Sequence, residues 1–172
     1  MGYTHYWTYN PNAIKDTEEL RKKFRKVADI VKKANIKRIK NPRIHTGQAG
    51  GYYDHICCSI RGGLGKGTAM INESQIWFNG DEKIDMDHET FSIQWYPKEG
   101  KVNDFCKTNR KPYDLLVCVT LLAMNEVFKG TGAFTFSSDG GNEEWQTAKD
   151  VFTSITGSFV GEIFPEKELE VA

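Results

Sequence analysis

The sequence predicts a single domain of the α/β (α+β) class, in which three helices pack on a mixed β-sheet. A chain of 172 residues is long enough to bury a substantial core in one domain spanning residues 1–172. Strand-like and helix-like patterns alternate along it in the order β-α-β-β-β-α-β-α, with a further strand near the end. Residues 112–129 are apolar on nearly every side, which predicts a buried central helix.

The first strand and the first helix follow from local patterns near the N-terminus. Residues 2–9 are rich in aromatic residues and threonine, and their alternation places His5 and Trp7 on the same face of a strand. Asp16 is suited to cap the N-terminus of a helix that continues to about Asn35 with apolar residues at helical spacing.

This helix lies in the most basic part of the chain. The whole sequence is neutral, with 23 basic and 23 acidic residues. Residues 15–43 hold twelve Lys or Arg and four Asp or Glu, an excess of eight (12 − 4). Such a helix can dock on nucleic acid or on an acidic partner. A solvated helix face is the favoured explanation of the charge, and nucleic acid is the less favoured partner because nucleic-acid binders are usually basic overall.

Three strands are predicted in the middle of the chain. They comprise Tyr52–Ile60, Gln75–Phe78, which ends at an Asn-Gly turn, and Glu89–Tyr96, whose apolar residues alternate. The glycine-rich segment Gly62–Thr68 resembles a phosphate-binding P-loop only superficially. A glycine separates its lysine from its threonine, and no helical pattern follows.

The C-terminal third predicts a short strand, a loop and a last helix. The strand is Ala133–Phe136, and the helix runs from an Asn142 cap to Gly157. Phe159–Phe164 is a further predicted strand, which could pair with another chain and form a homo-oligomer. Residues 164–172 are expected to fray.

The strongest candidate site lies at the start of the central helix. Lys107, Arg110 and Lys111 precede Pro112, which suits the first turn of a helix, and Tyr113 adds an aromatic wall. Free backbone N–H groups and three cations favour an anion there. An exposed basic turn that merely caps a buried helix would have the same sequence.

A second candidate site is the loop Ser137–Asn142. Its hydroxyls, its carboxylate Asp139 and its two glycines could present backbone N–H groups to a ligand at a helix N-terminus. Asp-Gly is also ordinary turn chemistry. The sequence leaves open whether this loop meets the basic one.

No metal, cofactor or catalytic motif is recognisable. The four histidines are scattered, and the four cysteines lack zinc-ligand spacing, which predicts a reduced protein of the cytoplasm without metal or cofactor. Cys106, beside a lysine and near a helix N-terminus, is expected to have a lowered pKa. The sequence contains no recognisable signal peptide and no apolar run long enough to cross a membrane, so no membrane partner is expected.

Five segments resemble a family of small bacteriophage and mobile-element proteins that has no assigned activity. They read MGYTHYW, IWFNG, ETF, FCKTNRKPYD and SSDG. The resemblance spans residues 1 to about 157 and implies a phage-type protein acting in the host bacterial cytoplasm. Most of the candidate residues fall in the matching segments: His5, Trp7, Asn79, Lys107, Thr108, Lys111, Tyr113 and Asp139.

The leading hypothesis is a non-catalytic protein that sequesters a small anionic, nucleotide-like ligand, such as a host immune signal. Three kinds of contact are predicted. Lys107, Arg110 and Lys111 would hold phosphate, Tyr113 and Trp7 would stack on the base, and Asn79, Thr108 and Asp139 would hydrogen-bond base or ribose.

Two alternatives remain open. One is an enzyme acting on nucleotides or phosphoesters through His5 or His55 together with Asp139. The other is an interaction protein whose basic residues 15–43 dock on nucleic acid or an acidic host partner.

Overall fold

The computed structural model describes residues 2–40 and 59–165, and these form one α+β unit, as predicted. They contain three α-helices and six strands around a single cluster of buried apolar side chains. Several predictions lie outside the described residues. These are most of the strand 52–60, the C-terminal tail from residue 166, and the side chains of His45, His55, Cys57 and Cys58.

The strands form two antiparallel sheets of three strands each, where the sequence predicts one mixed sheet. In the first sheet, β1 (Thr4–Tyr9) lies between β5 (Val102–Lys107) and β6 (Phe134–Ser138). The sequence does not predict β5, and its end is expected to be part of a loop. The reason is that residues 103–105 are three consecutive exposed positions, so this edge strand lacks the alternation that marks a half-buried strand.

The second sheet has the order β2-β3-β4. β3 (Gln75–Phe78) has the predicted bounds, β4 (Phe91–Gln94) is shorter than predicted, and the two-residue β2 (Met70–Ile71) was not predicted. A loop with one turn of 3-10 helix at Glu82–Ile84 joins β3 to β4, instead of the tight Asn-Gly hairpin expected from the sequence.

The central helix α2 (Asp114–Val127) is buried along eleven of its fourteen residues, which confirms the prediction of a helix enclosed on all sides. It packs against α1 (Thr17–Lys40), α3 (Gln146–Thr156) and β6. α1 continues five residues beyond its predicted end. None of the helices in the described ranges is both long and apolar enough to cross a membrane.

The start of α3 differs from the prediction. α3 begins at Gln146, and the predicted cap Asn142 instead holds the following segment, because its side chain bonds Ile163 N (2.9 Å) and Phe164 O (2.8 Å). Residues 159–164 form no strand here. Gly157 ends the helix in the left-handed conformation, as expected.

Asp16 caps α1, as the sequence predicts: its Oδ1 accepts hydrogen bonds from the backbone N–H groups of Glu18 (2.9 Å) and Glu19 (3.2 Å). Asp16→Ala is therefore expected to lower the free energy of unfolding by about 1 kcal/mol. Asp29→Ala, at an exposed position within the same helix, is the matched control and should change it by less than about 0.5 kcal/mol. Urea denaturation of the two variants checks the difference, and equal effects would contradict the capping role.

Candidate functional site

The two candidate loops of the sequence analysis converge at one end of the first sheet. β5 and β6 both run antiparallel to β1 and flank it, so their C-terminal ends meet beside the start of β1. The backbone N–H of Thr108 donates to Tyr3 O (3.0 Å), and that of Asp139 donates to Thr4 O (3.0 Å). The chain segments after β5 and β6 are thereby held against the same end of one strand.

Two of the three cations predicted to hold phosphate contact protein groups in this structure. Arg110 pairs with Glu144 (Nη2 to Oε1, 2.7 Å) and its guanidinium lies 4.1 Å from the ring centre of Tyr3. The Lys111 side chain is 7% exposed, and its Nζ donates to the carbonyl of Asp85 (2.5 Å). The arrangement therefore differs from an open cationic helix mouth.

The two aromatic rings predicted to stack on a base are buried. Trp7 is 3% exposed and packs against Phe91 with ring centres 5.1 Å apart. Tyr113 is 0% exposed, and its hydroxyl donates to the carbonyl of Glu89 (2.7 Å). Neither ring offers a free face to a ligand in this conformation, which corrects that part of the prediction.

The residues predicted to hydrogen-bond the ligand lie in different places. Asn79 is buried and holds the loop after β3, since its Oδ1 accepts from His88 N (3.1 Å) and its Nδ2 donates to His88 O (2.9 Å). Asp139 lies at the convergent end of the first sheet, where its Oδ2 accepts from Thr4 N (2.9 Å). Thr108 is buried at the same end of the sheet as Asp139, and its backbone N–H donates to Tyr3 O.

A cluster of polar side chains is enclosed beneath this end of the sheet. His5 Nε2 lies 2.7 Å from Asp114 Oδ1, and His5 Nδ1 lies 2.9 Å from Ser138 Oγ. The Thr108 hydroxyl donates to the same carboxylate oxygen (2.5 Å). Cys118 completes the cluster, with Sγ 3.7 Å from His5 Nε2 and 3.7 Å from Asp114 Oδ2.

This cluster corrects two predictions. The enzyme hypothesis combines His5 or His55 with Asp139. His55 lies outside the described residues, and the structure pairs His5 with Asp114 instead of Asp139. A lowered pKa for Cys106 is also wrong, because burial and then the nearby Asp114 carboxylate raise the pKa of this thiol. Burial, followed by Asp114, likewise raises the pKa of Cys118. Neither cysteine has the electropositive, accessible setting of a reactive thiolate.

The outer face of the first sheet, defined by Tyr6 and Phe105, exposes two aromatic rings. The two residues are register partners on β1 and β5, 44% and 56% exposed, with ring centres 6.4 Å apart. They line a depression of about 460 Å³. Residues of all three strands line it. They include four with hydroxyl or amide side chains, Thr8, Asn103, Thr135 and Ser137, and the acidic Asp104.

Sequence reasoning missed this face because it depends on β5. Alternation along β1 places Tyr6 opposite His5 and Trp7, and that signal was available. Phe105 was assigned to a loop, so the sequence did not show that the two rings would be neighbours.

The basic helix α1 carries nearly all of its charge on the surface, and Arg38, at 2% exposure, is the exception. Its 24 residues contain ten Lys or Arg and three Asp or Glu. Some cations have protein partners, including Lys23 with Glu19 and Arg25 with Glu73. This face remains consistent with either solvation or docking.

Comparison with protein-family models, with curated proteins and with solved structures gave no match to the chain. Its fold and surface define it as a single-domain α+β protein whose first sheet exposes an aromatic face.

Proposed function

We propose that this protein binds a small anionic, nucleotide-like ligand on the outer face of the first sheet. The observation that carries the proposal is the pair of half-exposed rings, Tyr6 and Phe105, in a depression of about 460 Å³. A phenol and a phenyl ring side by side on an open sheet face expose apolar area that a flat ligand can cover. Bases stack readily on such rings, because every base has a π-face.

Hydrogen-bonding groups surround the rings. The Thr8 hydroxyl donates a hydrogen bond to Asn103 Oδ1 (2.7 Å). This contact fixes the orientation of the Asn103 amide and therefore the direction of its N–H groups. Ser137 lies on β6, where it is the register partner of Tyr6. Amides and hydroxyls in these positions suit the edge of a base or the hydroxyls of a ribose.

Lys107 supplies the positive charge. It lies two residues after Phe105 on β5, so strand alternation brings both side chains to the same face, about 6.6 Å apart along the strand. This spacing suits a nucleotide whose base stacks on the ring while its phosphate reaches the ammonium group. Asp139, exposed at the same end of the sheet, can accept a hydrogen bond from a ribose hydroxyl.

A ligand held in this way is sequestered rather than converted. The resemblance of five sequence segments to phage-encoded proteins supports a role in the bacterial cytoplasm, where nucleotide signals of host immunity are ligands of this class. The proposal retains two residues predicted from the sequence, Lys107 and Asp139. It replaces Trp7 and Tyr113 by Tyr6 and Phe105 as the stacking rings.

Calorimetric titration with nucleoside monophosphates, cyclic nucleotides and cyclic dinucleotides tests the proposal. Tyr6→Ala and Phe105→Ala are each expected to weaken binding roughly 5- to 150-fold, since one base–aromatic stack is worth about 1–3 kcal/mol. Tyr96→Ala and Phe159→Ala remove an exposed tyrosine and an exposed phenylalanine elsewhere and should leave affinity unchanged.

Two results would contradict the proposal. One is that no nucleotide of the panel binds. The other is binding that both Tyr6→Ala and Phe105→Ala leave intact.

A further inference from the structure

We propose that His5, Asp114 and Cys118 form a buried binding site for a divalent transition-metal ion, with Zn²⁺ the best fit. This site is independent of the sheet face, because it lies on the opposite, buried side of β1. The sequence gives no hint of it, since His5 is 109 residues from Asp114 along the chain.

The spacing of the ligand atoms suits a tetrahedral ion. One nitrogen, one carboxylate oxygen and one sulfur all lie within 4.8 Å of one another. Ligands bound to Zn²⁺ at about 2.0–2.3 Å lie roughly 3.3–3.6 Å apart. The sulfur of Cys118 is 3.7 Å from both His5 Nε2 and Asp114 Oδ2, close to that separation. The 2.7 Å contact between His5 Nε2 and Asp114 Oδ1 would open by about 0.6 Å to admit the ion.

Secondary structure fixes all three ligands on rigid elements. Asp114 and Cys118 are four residues apart on α2, so they project from the same side of that helix. His5 projects from the buried face of β1, where Tyr3 and Trp145 pack edge-on against its ring at 5.0 Å and 5.3 Å. A site held by packed elements keeps its geometry better than one held by loops.

A site loaded with Zn²⁺ is electrically neutral, and neutrality makes its burial in the protein interior favourable. A Zn²⁺ ion with one thiolate, one carboxylate and one neutral imidazole has no net charge, so the complex avoids the cost of burying an unpaired charge. Imidazole and thiolate select Zn²⁺, Co²⁺ and similar ions over Mg²⁺ or Ca²⁺. The remaining fourth position is of the kind that a water molecule fills when a protein supplies three ligands.

Ser138 is placed to orient the histidine. Its Oγ lies 2.9 Å from His5 Nδ1 and also accepts a hydrogen bond from Gly140 N (3.0 Å). A metal on Nε2 leaves the ring proton on Nδ1, and Ser138 Oγ would then accept the hydrogen bond that this N–H donates. Outer-shell partners of this kind commonly change metal affinity 10- to 100-fold. Ser138 is therefore a positioning residue, and Ser138→Ala should weaken metal binding by about that factor without abolishing it.

Titration of the reduced, metal-stripped protein with Co²⁺ is the direct test. We expect one Co²⁺ per chain, a thiolate-to-cobalt charge-transfer band in the near ultraviolet, and visible bands of a tetrahedral site. Cys118→Ser and His5→Gln should lose these bands. Cys106→Ser, which removes another buried thiol, should keep them.

X-ray absorption of the wild-type protein loaded with Zn²⁺ tests the site without any variant. One sulfur together with nitrogen and oxygen neighbours is the expected ligand set. Two sulfur neighbours would overturn the proposal, as would a wild-type protein that binds no Co²⁺ or a folded Cys118→Ser variant that retains the charge-transfer band.

Discussion

Asp114→Ala is expected to lower the free energy of unfolding by about 2–6 kcal/mol, because two buried polar groups each lose a hydrogen-bond partner at a cost of about 1–3 kcal/mol. The Asp114 carboxylate is 1% exposed and accepts hydrogen bonds from groups that lie just as deep, including Thr108 and His5. Removing it leaves a buried hydroxyl and a buried imidazole short of a partner. It also removes an acidic residue from the first turn of α2, where the helix dipole favours negative charge.

Urea denaturation in the presence of a chelator measures this effect apart from any bound metal. Asp150→Ala is the matched control, since Asp150 is an exposed aspartate in helix α3 and its loss should cost less than about 0.5 kcal/mol. A cost below about 1 kcal/mol for Asp114→Ala would show that the cluster is not an integral part of the folded core.

Leu121→Ala is expected to cost about 2–5 kcal/mol, because it creates a cavity in the most enclosed helix of the protein. The Leu121 side chain is fully buried in α2, whose neighbours are helices on two sides and a strand on a third. Packed surroundings of this kind relax only partly when a side chain is truncated.

Thermal and urea denaturation of Leu121→Ala check this value. Ile36→Ala is the control, because it truncates an exposed aliphatic side chain in helix α1 without creating a cavity. A cost for Leu121→Ala no larger than that of Ile36→Ala would contradict the central position assigned to α2.

The fold class could be predicted because its main elements have strong local signals. A helix without a polar face leaves one interpretation for residues 112–129, and alternation in residues 2–9 identifies both faces of β1. The edge strand β5 has no such signal, since its exposed residues do not alternate. Missing one strand changed the predicted sheet and turned Phe105 and Lys107 into loop residues.

For the candidate sites, too, the sequence indicates residues that are close together in the chain but not residues that only the fold brings together. Lys107 and Asp139 could be predicted as ligand-binding residues because they belong to short segments with distinctive composition, and their role stays a prediction. The His5–Asp114–Cys118 cluster was not recognised, because strand pairing and helix packing bring distant residues together without leaving a spacing in the sequence. Tyr113 and Pro112 were correctly placed near a helix start, but burial of the Tyr113 ring depends on the second sheet.

Nuclear magnetic resonance mapping of the ligand on the labelled protein tests the central claim most directly. The tightest-binding nucleotide of the panel should shift the signals of Tyr6, Phe105 and Lys107 and of their neighbours on the outer face of the first sheet. Signals from the basic face of α1 should stay unchanged. Shifts confined to α1 or to residues 110–113, with the sheet face unaffected, would contradict the proposed binding site.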